Sequence, residues 1–365
     1  MTATLFDPIR LGDYQLKNRV FMAPMTRART GASGVPNDMV ATYYGQRAGA
    51  GLIISEATAI DPRGDGWPGA PGIYTKDQQA GWAKVAEAVH AKGGHIFMQI
   101  WHMGRAVISE AIDGQKPLAP SAIAAEGQLP NSQGVPTSFD TPEVMTQAQI
   151  KEAVSAFATA ARRAVDAGLD GVEIHAANNF LIDAFLRDGT NQRNDEYGGS
   201  VENRSRFLLE VVDAVVAEVG AGKVGVRFSP TNAVFGIADS DPEAIFTYAA
   251  QQLSTRNLAY LHVLEPALDS GSPMSAGLPL VAPALREAYD GLLIINGSLT
   301  QDTALNALSS GAADAVALGI PFIANPDLIE RFRSGAPLAE PDVDTFYAGE
   351  AKGYIAYAPL EVEEV

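Results

Sequence analysis

Short apolar runs rich in β-branched residues alternate with longer stretches of helical period along the whole chain. The runs at Arg19–Met25, Gly51–Thr58, His95–His102, Gly171–Ala176, Lys223–Ser229, Leu258–Leu264, Leu292–Asn296 and Ala315–Gly319 predict eight strands. Several, such as Leu292-Leu-Ile-Ile, are apolar at almost every position, the pattern of parallel strands buried on both faces. Helices are predicted between them. Thr75-x-x-Gln78 and Thr146-x-x-Gln149 are capping-box signatures, because each end can satisfy a free backbone N–H of the other. Trp82, Val85 and Val89 follow the first box; Ile150, Val154, Phe157, Ala161 and Val165 follow the second. Phe207, Val211, Val212, Val215 and Val219 form a third stripe at helical spacing, and such stripes are core positions.

A strand followed by a helix, repeated eight times, predicts an α/β protein with the (β/α)8 TIM-barrel fold. One domain is expected over residues 1–365. Two pieces stand outside the repeat: an N-terminal extension to about Lys17, and a long excursion after strand three, Met103–Thr146, rich in Pro, Gly and Ser. In a barrel that excursion overhangs the carboxyl ends of the strands as a lid or wall. The doubly wound dinucleotide fold is the competing architecture, and Gly220-Ala-Gly-Lys-Val-Gly225 matches its glycine pattern. The match runs from helix into strand, whereas the fingerprint requires the reverse, so it is spurious.

Barrels of this kind keep their sites at the carboxyl ends of the strands. Those ends carry Pro24-Met-Thr26, Glu56-Ala57, Gln99-Ile-Trp101-His102, His175, Arg227-Phe-Ser229, Asn296-Gly-Ser298 and Gly319. His175 is followed three residues later by Asn178. Together they offer N–H donors that can converge on one carbonyl, nitro or phenolate oxygen and polarise a substrate without attacking it. Of the other histidines, His90, His95 and His262 read as structural, while His102 is left open.

Composition removes several alternatives. Forty-three acidic against 26 basic residues give a net charge of −17, which disfavours nucleic acid and anionic membranes as partners. No apolar stretch is long enough to span a bilayer, and Met1-Thr-Ala-Thr-Leu-Phe-Asp-Pro8 lacks the basic and apolar regions of a signal peptide, so a cytoplasmic enzyme is expected. With no cysteine there is no disulfide, thiol nucleophile or cysteine-held iron–sulfur cluster. No H-E-x-x-H metal motif or G-x-x-x-x-G-K-[ST] phosphate loop is present.

An isoalloxazine ring suits the strand-end residues. Gln99 can donate and accept along a pyrimidine edge, and Arg227 supplies a permanent positive charge where negative charge develops on reduction. Thr26 can bond near the C4 carbonyl or N5, while Gly297, Ser298 and Gly319 offer backbone N–H groups to a phosphate by the last two strands. Nearly the whole chain resembles the old yellow enzyme family. The resemblance rests on Leu5-Phe-Asp-Pro8, Lys17-Asn-Arg19, Ala23-Pro-Met-Thr-Arg27, Gly66-Trp-Pro-Gly-Ala-Pro-Gly72 and Gln99-Ile-Trp-His-Met-Gly-Arg105. It continues through Glu173–Asp183, Asn191–Ser200, Phe322-Ile-Ala-Asn-Pro-Asp-Leu328 and Gly353-Tyr-Ile-Ala-Tyr357. Within that family it resembles the bacterial N-ethylmaleimide and pentaerythritol tetranitrate reductases.

The resemblance implies FMN held by Pro24, Met25, Thr26, Ala57, Gln99, Arg227, Gly297, Ser298, Gly319 and Ile320. It implies a small-molecule pocket walled by Trp67, Trp101, His175, Asn178, Phe180 and Tyr354, and NAD(P)H-driven reduction of activated C=C bonds in a monomer or homodimer. The larger, cluster-bearing relatives are excluded by the missing cysteines. Three departures stand out: Phe180 where most members have a proton-donating Tyr, Ile320 where an Arg commonly faces the phosphate, and Asn179, where Gly is frequent, expected to narrow the pocket. The rival readings are a barrel aldolase or isomerase for a phosphorylated sugar, and a flavin-binding barrel with altered or no turnover.

Overall fold

The computed structural model describes residues 3–266 and 277–360. Its centre is a closed barrel of parallel strands: β1 (Val20–Met22), β2 (Ile53–Ile54), β3 (Ile96–Trp101), β4 (Gly171–His175), β5 (Val224–Phe228), β6 (Tyr260–Leu264), β7 (Leu293–Asn296) and β8 (Ala315–Leu318). They pair in chain order, and β8 returns to β1 to close the ring. The eight expected strands are all present. β1 stops short of Pro24, which has no N–H to continue the ladder. The second expected strand is interrupted: Thr58–Ala59 pairs separately with β3, and the N–H of Glu56 goes to the Tyr44 hydroxyl (2.8 Å).

Alternation along the strands divides the core in two. Ile96, Met98, Ile100, Val172, Ile174, Val224, Val226 and Phe228 face outward and pack with the surrounding helices. Phe21, Ile54, Phe97, Tyr260, Ile294 and Ala315 face inward and form a separate cluster at the barrel floor. Glycines make room for the large inner rings. A Cβ at Gly171 would lie 2.5 Å from the Phe97 ring, and one at Gly225 would lie 2.3 Å from the Tyr260 ring. The N-terminal extension is an antiparallel hairpin, Ile9–Leu11 with Tyr14–Leu16, whose Ile9, Leu11 and Leu16 plug this floor.

The expected helices form for the expected reasons. α2 (Lys76–His90) and α3 (Gln147–Asp166) open with complete Thr–Gln capping boxes. α5 (Val201–Val219) ends at Gly220, and the glycine-rich hexad leads from it into β5. α1 (Asp38–Gln46), the short α4 (Leu181–Leu186), α6 (Pro242–Ser254), α7 (Ala282–Ala288), α8 (Gln301–Ser309), α9 (Ile320–Ala324) and α10 (Leu328–Ser334) complete the shell. The excursion after β3 folds over the carboxyl ends. Its Met103, Val107, Ile108, Leu129 and Phe139 share a cluster with Trp101 and Phe180. Among the described residues no helix is long and apolar enough to cross a membrane.

Candidate active site

Because inward positions recur every second residue, the longer strands β3, β4 and β6 each carry a floor residue, a middle residue and a mouth residue. Above the apolar floor stand four polar residues: Gln99 and Glu173 are ladder partners, as are Arg227 and His262, while Arg227 is registered with His175 and so sits one step nearer the mouth than Glu173. Gln99 Nε2 donates to Glu173 Oε1 (2.7 Å), and Glu173 Oε2 lies 2.8 Å from His262 Nδ1. Burial pushes the Glu173 carboxyl up, but His262, Arg227 and Gln99 more than offset it and hold the group below the usual carboxylate range. Burial also lowers His262 and Arg227. The four thus carry one carboxylate beside one guanidinium.

A cavity of about 470 Å³ lies on these residues at the carboxyl ends of the strands. It is lined by every expected site residue except Tyr354. Arg227 points a nearly buried guanidinium at it, with one arm on Asn296 Oδ1 (3.0 Å) and Nε without a partner among the described residues. Glu56 shapes the Thr26 side, its Oε2 accepting from the N–H groups of Arg27 (2.9 Å) and Ala28 (3.2 Å). On the opposite side Gly297 (φ 151°) and Ser298 (φ 55°) leave β7 in a turn that approaches Glu265 closely. A Cβ at Gly297 would stand 2.1 Å from the Glu265 carbonyl oxygen, so only glycine fits. Ile320, at the start of α9, lines the same end and is 57% exposed, and its side chain offers no cation there.

The mouth is aromatic. Trp101, His175 and Phe180 form a box, Phe180 standing edge-on to Trp101 (4.6 Å between centroids) and to His175 (4.8 Å). Burial first, then Arg227 and His262, depress His175 well below the usual histidine range, so its ring is neutral. Its Nδ1 has no partner among the described residues. Asn178 adopts a left-handed backbone (φ 59°), fixed by its N–H on Ser229 Oγ (2.9 Å), and its Oδ1 is occupied by Asn232 Nδ2 (2.6 Å). Its own amide nitrogen is left for the cavity.

Two expectations are corrected. Tyr354 does not reach the pocket: its fully buried ring stacks on Tyr43 (4.0 Å), with Arg27 and Arg29 over it at 5.3 and 5.0 Å. The wall is supplied instead by Phe346 and Tyr347, the latter packed on Trp67 (5.4 Å). Arg27 and Arg29 cause this exchange by strapping the C-terminal segment through its carbonyls: Arg27 binds those of Phe346 (3.0 Å) and Gly353 (2.9 Å), and Arg29 those of Thr345 (2.6 Å), Phe346, Ala348 and Glu350. Asn179 does not narrow the pocket either. It is fully buried and turned away, accepting from Arg105 Nε (2.8 Å) and donating to the Phe235 carbonyl (2.8 Å).

Glu173, Asn296 and Tyr347 were not among the expected site residues. A Glu inside a fully buried strand was a readable signal, since a buried carboxylate demands partners. Tyr347 offered none. His102, left open by the sequence, is structural: Nδ1 accepts from the Gly104 N–H (3.0 Å) at the first turn of the excursion. His90 and His95 sit on Asp170 (3.0 and 3.4 Å), away from the cavity.

A buried guanidinium, amide donors and an aromatic mouth around one central cavity suit a barrel enzyme that binds a flat ligand with a polar edge. Comparison with known proteins agrees: the NADH:flavin oxidoreductase / NADH oxidase family pattern matches residues 4–339, and the chain belongs to this family, the old yellow enzymes. A probable flavin mononucleotide-dependent alkene reductase of Leishmania infantum is 42% identical over 97% of this chain and 96% of its own. A flavin oxidoreductase of Emericella nidulans is 41% identical over 97% of both. Among solved structures, the old yellow enzyme homologue from Zymomonas mobilis superposes with a TM-score of 0.95 at 46% identity, covering 98% of this chain and 100% of its own. Morphinone reductase does so with a TM-score of 0.94 at 47% identity, over 99% and 97%. The chain is an FMN-dependent oxidoreductase of this type.

Proposed function

We propose that this chain, acting as one FMN-binding domain over residues 1–365, uses NAD(P)H to reduce alkenes conjugated to a carbonyl, nitro or imide group, and also quinones or nitro compounds. The observation that carries the reading is the pairing of neutral His175 with Asn178, whose oxygen is already committed, so that N–H donors face the cavity mouth. The residues fit FMN. Arg227, whose Nε has no partner among the described residues, would hold the negative charge of a reduced ring, Gln99 would bond its pyrimidine edge, and the Gly297–Ser298 turn and Gly319 would offer backbone N–H groups to the phosphate. Pro24, Met25, Thr26, Ala57 and Ile320 complete that cradle. Bound FMN would supply the hydride chemistry, relaying a hydride equivalent from NAD(P)H to the β-carbon of an acceptor.

His175 and Asn178 bind the acceptor oxygen and stabilise the negative charge that develops on it, as an oxyanion hole does. Trp101 and Trp67 wall the alkene, and the excursion behind Trp101 and Phe180 shields it from water. Phe180 has no proton to give, so the α-carbon takes its proton from water or from another group at the mouth. The enzyme is proposed to act in the cytoplasm, as monomer or homodimer, on small molecules.

The test is a titration. The yellow preparation bleaches with NADPH and recovers colour with an enone, and recovery that fails would leave a flavin-binding barrel of altered or no turnover. In the His175→Ala and Asn178→Ala variants recovery with enone slows by roughly 10²–10³, the usual cost of losing such a donor. An unchanged rate in the double variant would refute the clamp.

A further inference from the structure

The polarity of the Asn178 amide is set from outside the cavity. An asparagine side chain can present either its oxygen or its nitrogen, and only the nitrogen can donate to a substrate oxygen. Asn232, in the loop after β5, is 2% exposed and does not line the cavity. Its Oδ1 accepts from the backbone N–H of Val234 (2.8 Å). A backbone N–H can only donate, so this contact fixes which way the Asn232 amide faces. Nδ2 must then point to Asn178, where it donates to Oδ1 at 2.6 Å. That bond commits the Asn178 oxygen and turns the Asn178 nitrogen to the mouth.

The Val234 end of this relay is itself held by the excursion. The Phe235 carbonyl accepts from the N–H of Glu126 (2.9 Å) and from Asn179 Nδ2 (2.8 Å). Arg105 ties the Phe235 and Gly236 carbonyls (3.4 and 3.3 Å) to those of Ile123 (3.2 Å) and Ala124 (2.9 Å). The Phe235 ring stands edge-on to Phe139 of the excursion (5.1 Å).

We propose that Asn232 is a positioning residue: it locks Asn178 as a donor, and the excursion holds Asn232 in place through residues 234–236. The inference rests on the proposed oxygen clamp and adds to it the origin of the clamp's polarity.

The experiment uses holoenzyme, with 4-chlorophenol binding and cyclohexenone kcat/KM as readouts and FMN content as the check on folding. In Asn232→Asp a carboxylate oxygen faces Asn178 Oδ1, two acceptors repel, and the Asn178 amide turns over to show its oxygen to the mouth. Phenol affinity and cyclohexenone kcat/KM then fall by roughly 10², as for a lost oxyanion donor. Lowering the pH protonates the new carboxyl, its O–H donates to Asn178, and both readouts recover toward the parent. Asn232→Ala, which frees the amide without inverting it, loses less than Asn232→Asp.

A negative charge near the mouth would also hinder an oxyanion, and the Asn178→Ala background separates the two causes. With no amide to invert, Asn232→Asp adds nothing to Asn178→Ala if the relay operates. The same fall in that background, or parental behaviour of both Asn232 variants, overturns the inference while leaving the clamp. An Asn178→Ala variant that matches the parent overturns the clamp itself.

Discussion

Phe180 changes the proton economy of the site. It presses its edge on Trp101 and His175, close to where an acceptor would lie, and offers no acid. A positioned general acid is worth roughly 10²–10⁴ in rate. Turnover of simple cyclic enones should therefore be poor beside that of quinones or nitro compounds, which need no proton on carbon. Phe180→Tyr should raise cyclohexenone kcat selectively; steady-state kinetics with cyclohexenone and a quinone check this, and equal gains on both would refute it. Asp65, two residues before Trp67 on the same loop, carries a perturbed carboxyl. Burial raises its carboxyl from 3.8 to about 6, although Tyr74 donates to it (2.9 Å). A carboxyl harder to ionise in the folded state lowers stability once ionised, so the penalty is absent below about pH 4 and complete above about pH 6. Asp65→Asn keeps an acceptor for Tyr74 and should gain about 1–2 kcal/mol at neutral pH after solvent screening. Thermal melts should show that gain vanish as the pH falls to about 4. Single residues were legible where strand ends announced them: His175, Gln99 and Arg227 stand on strands, and a strand's period tells which way they point. Tyr347 and Tyr354 lie on an irregular segment where no period distinguishes the exposed ring from the buried one.

At the level of elements, almost the whole barrel could be read from the chain, because eight apolar runs and capped amphipathic helices agree with one another. The break in the second strand could not, since it depends on Glu56 and Tyr44 meeting across space. Nor could the layering of the barrel interior, which follows from the register of neighbouring strands. Gly225 exposes that register: it faces Tyr260 on β6, whose ring occupies the space a side chain would need. Gly225→Ala should lower stability by about 1–3 kcal/mol through overpacking. Combining it with Tyr260→Val should cost less than the two single changes together, as thermal or urea unfolding of all four proteins would show. Simple additivity would place the Tyr260 ring elsewhere.

The whole molecule carries a net charge of −17, while the cavity holds a buried cation. An anionic reductant must approach against the overall field, and a neutral enone feels none. Raising salt from about 10 mM to about 150 mM shortens the Debye length from roughly 30 Å to 8 Å. The second-order rate of flavin bleaching by NADPH should rise over that range, and recovery with cyclohexenone should not; stopped-flow traces at several salt concentrations check both. The N-terminal hairpin and the C-terminal segment also meet different surfaces of the barrel, Ile9, Leu11 and Leu16 sealing its floor and Phe346 and Tyr347 lying along its mouth. That second attachment has a consequence for how the enzyme can change. Arg27 and Arg29 grip carbonyl oxygens, which every amino acid possesses, so the fastening is blind to the side chains it carries. Tyr347 can be exchanged for almost any residue while the main chain beneath it keeps its anchors. The rim of the pocket is thus free to drift toward new acceptors under selection, and a saturation library there would sample specificity at little expense to folding.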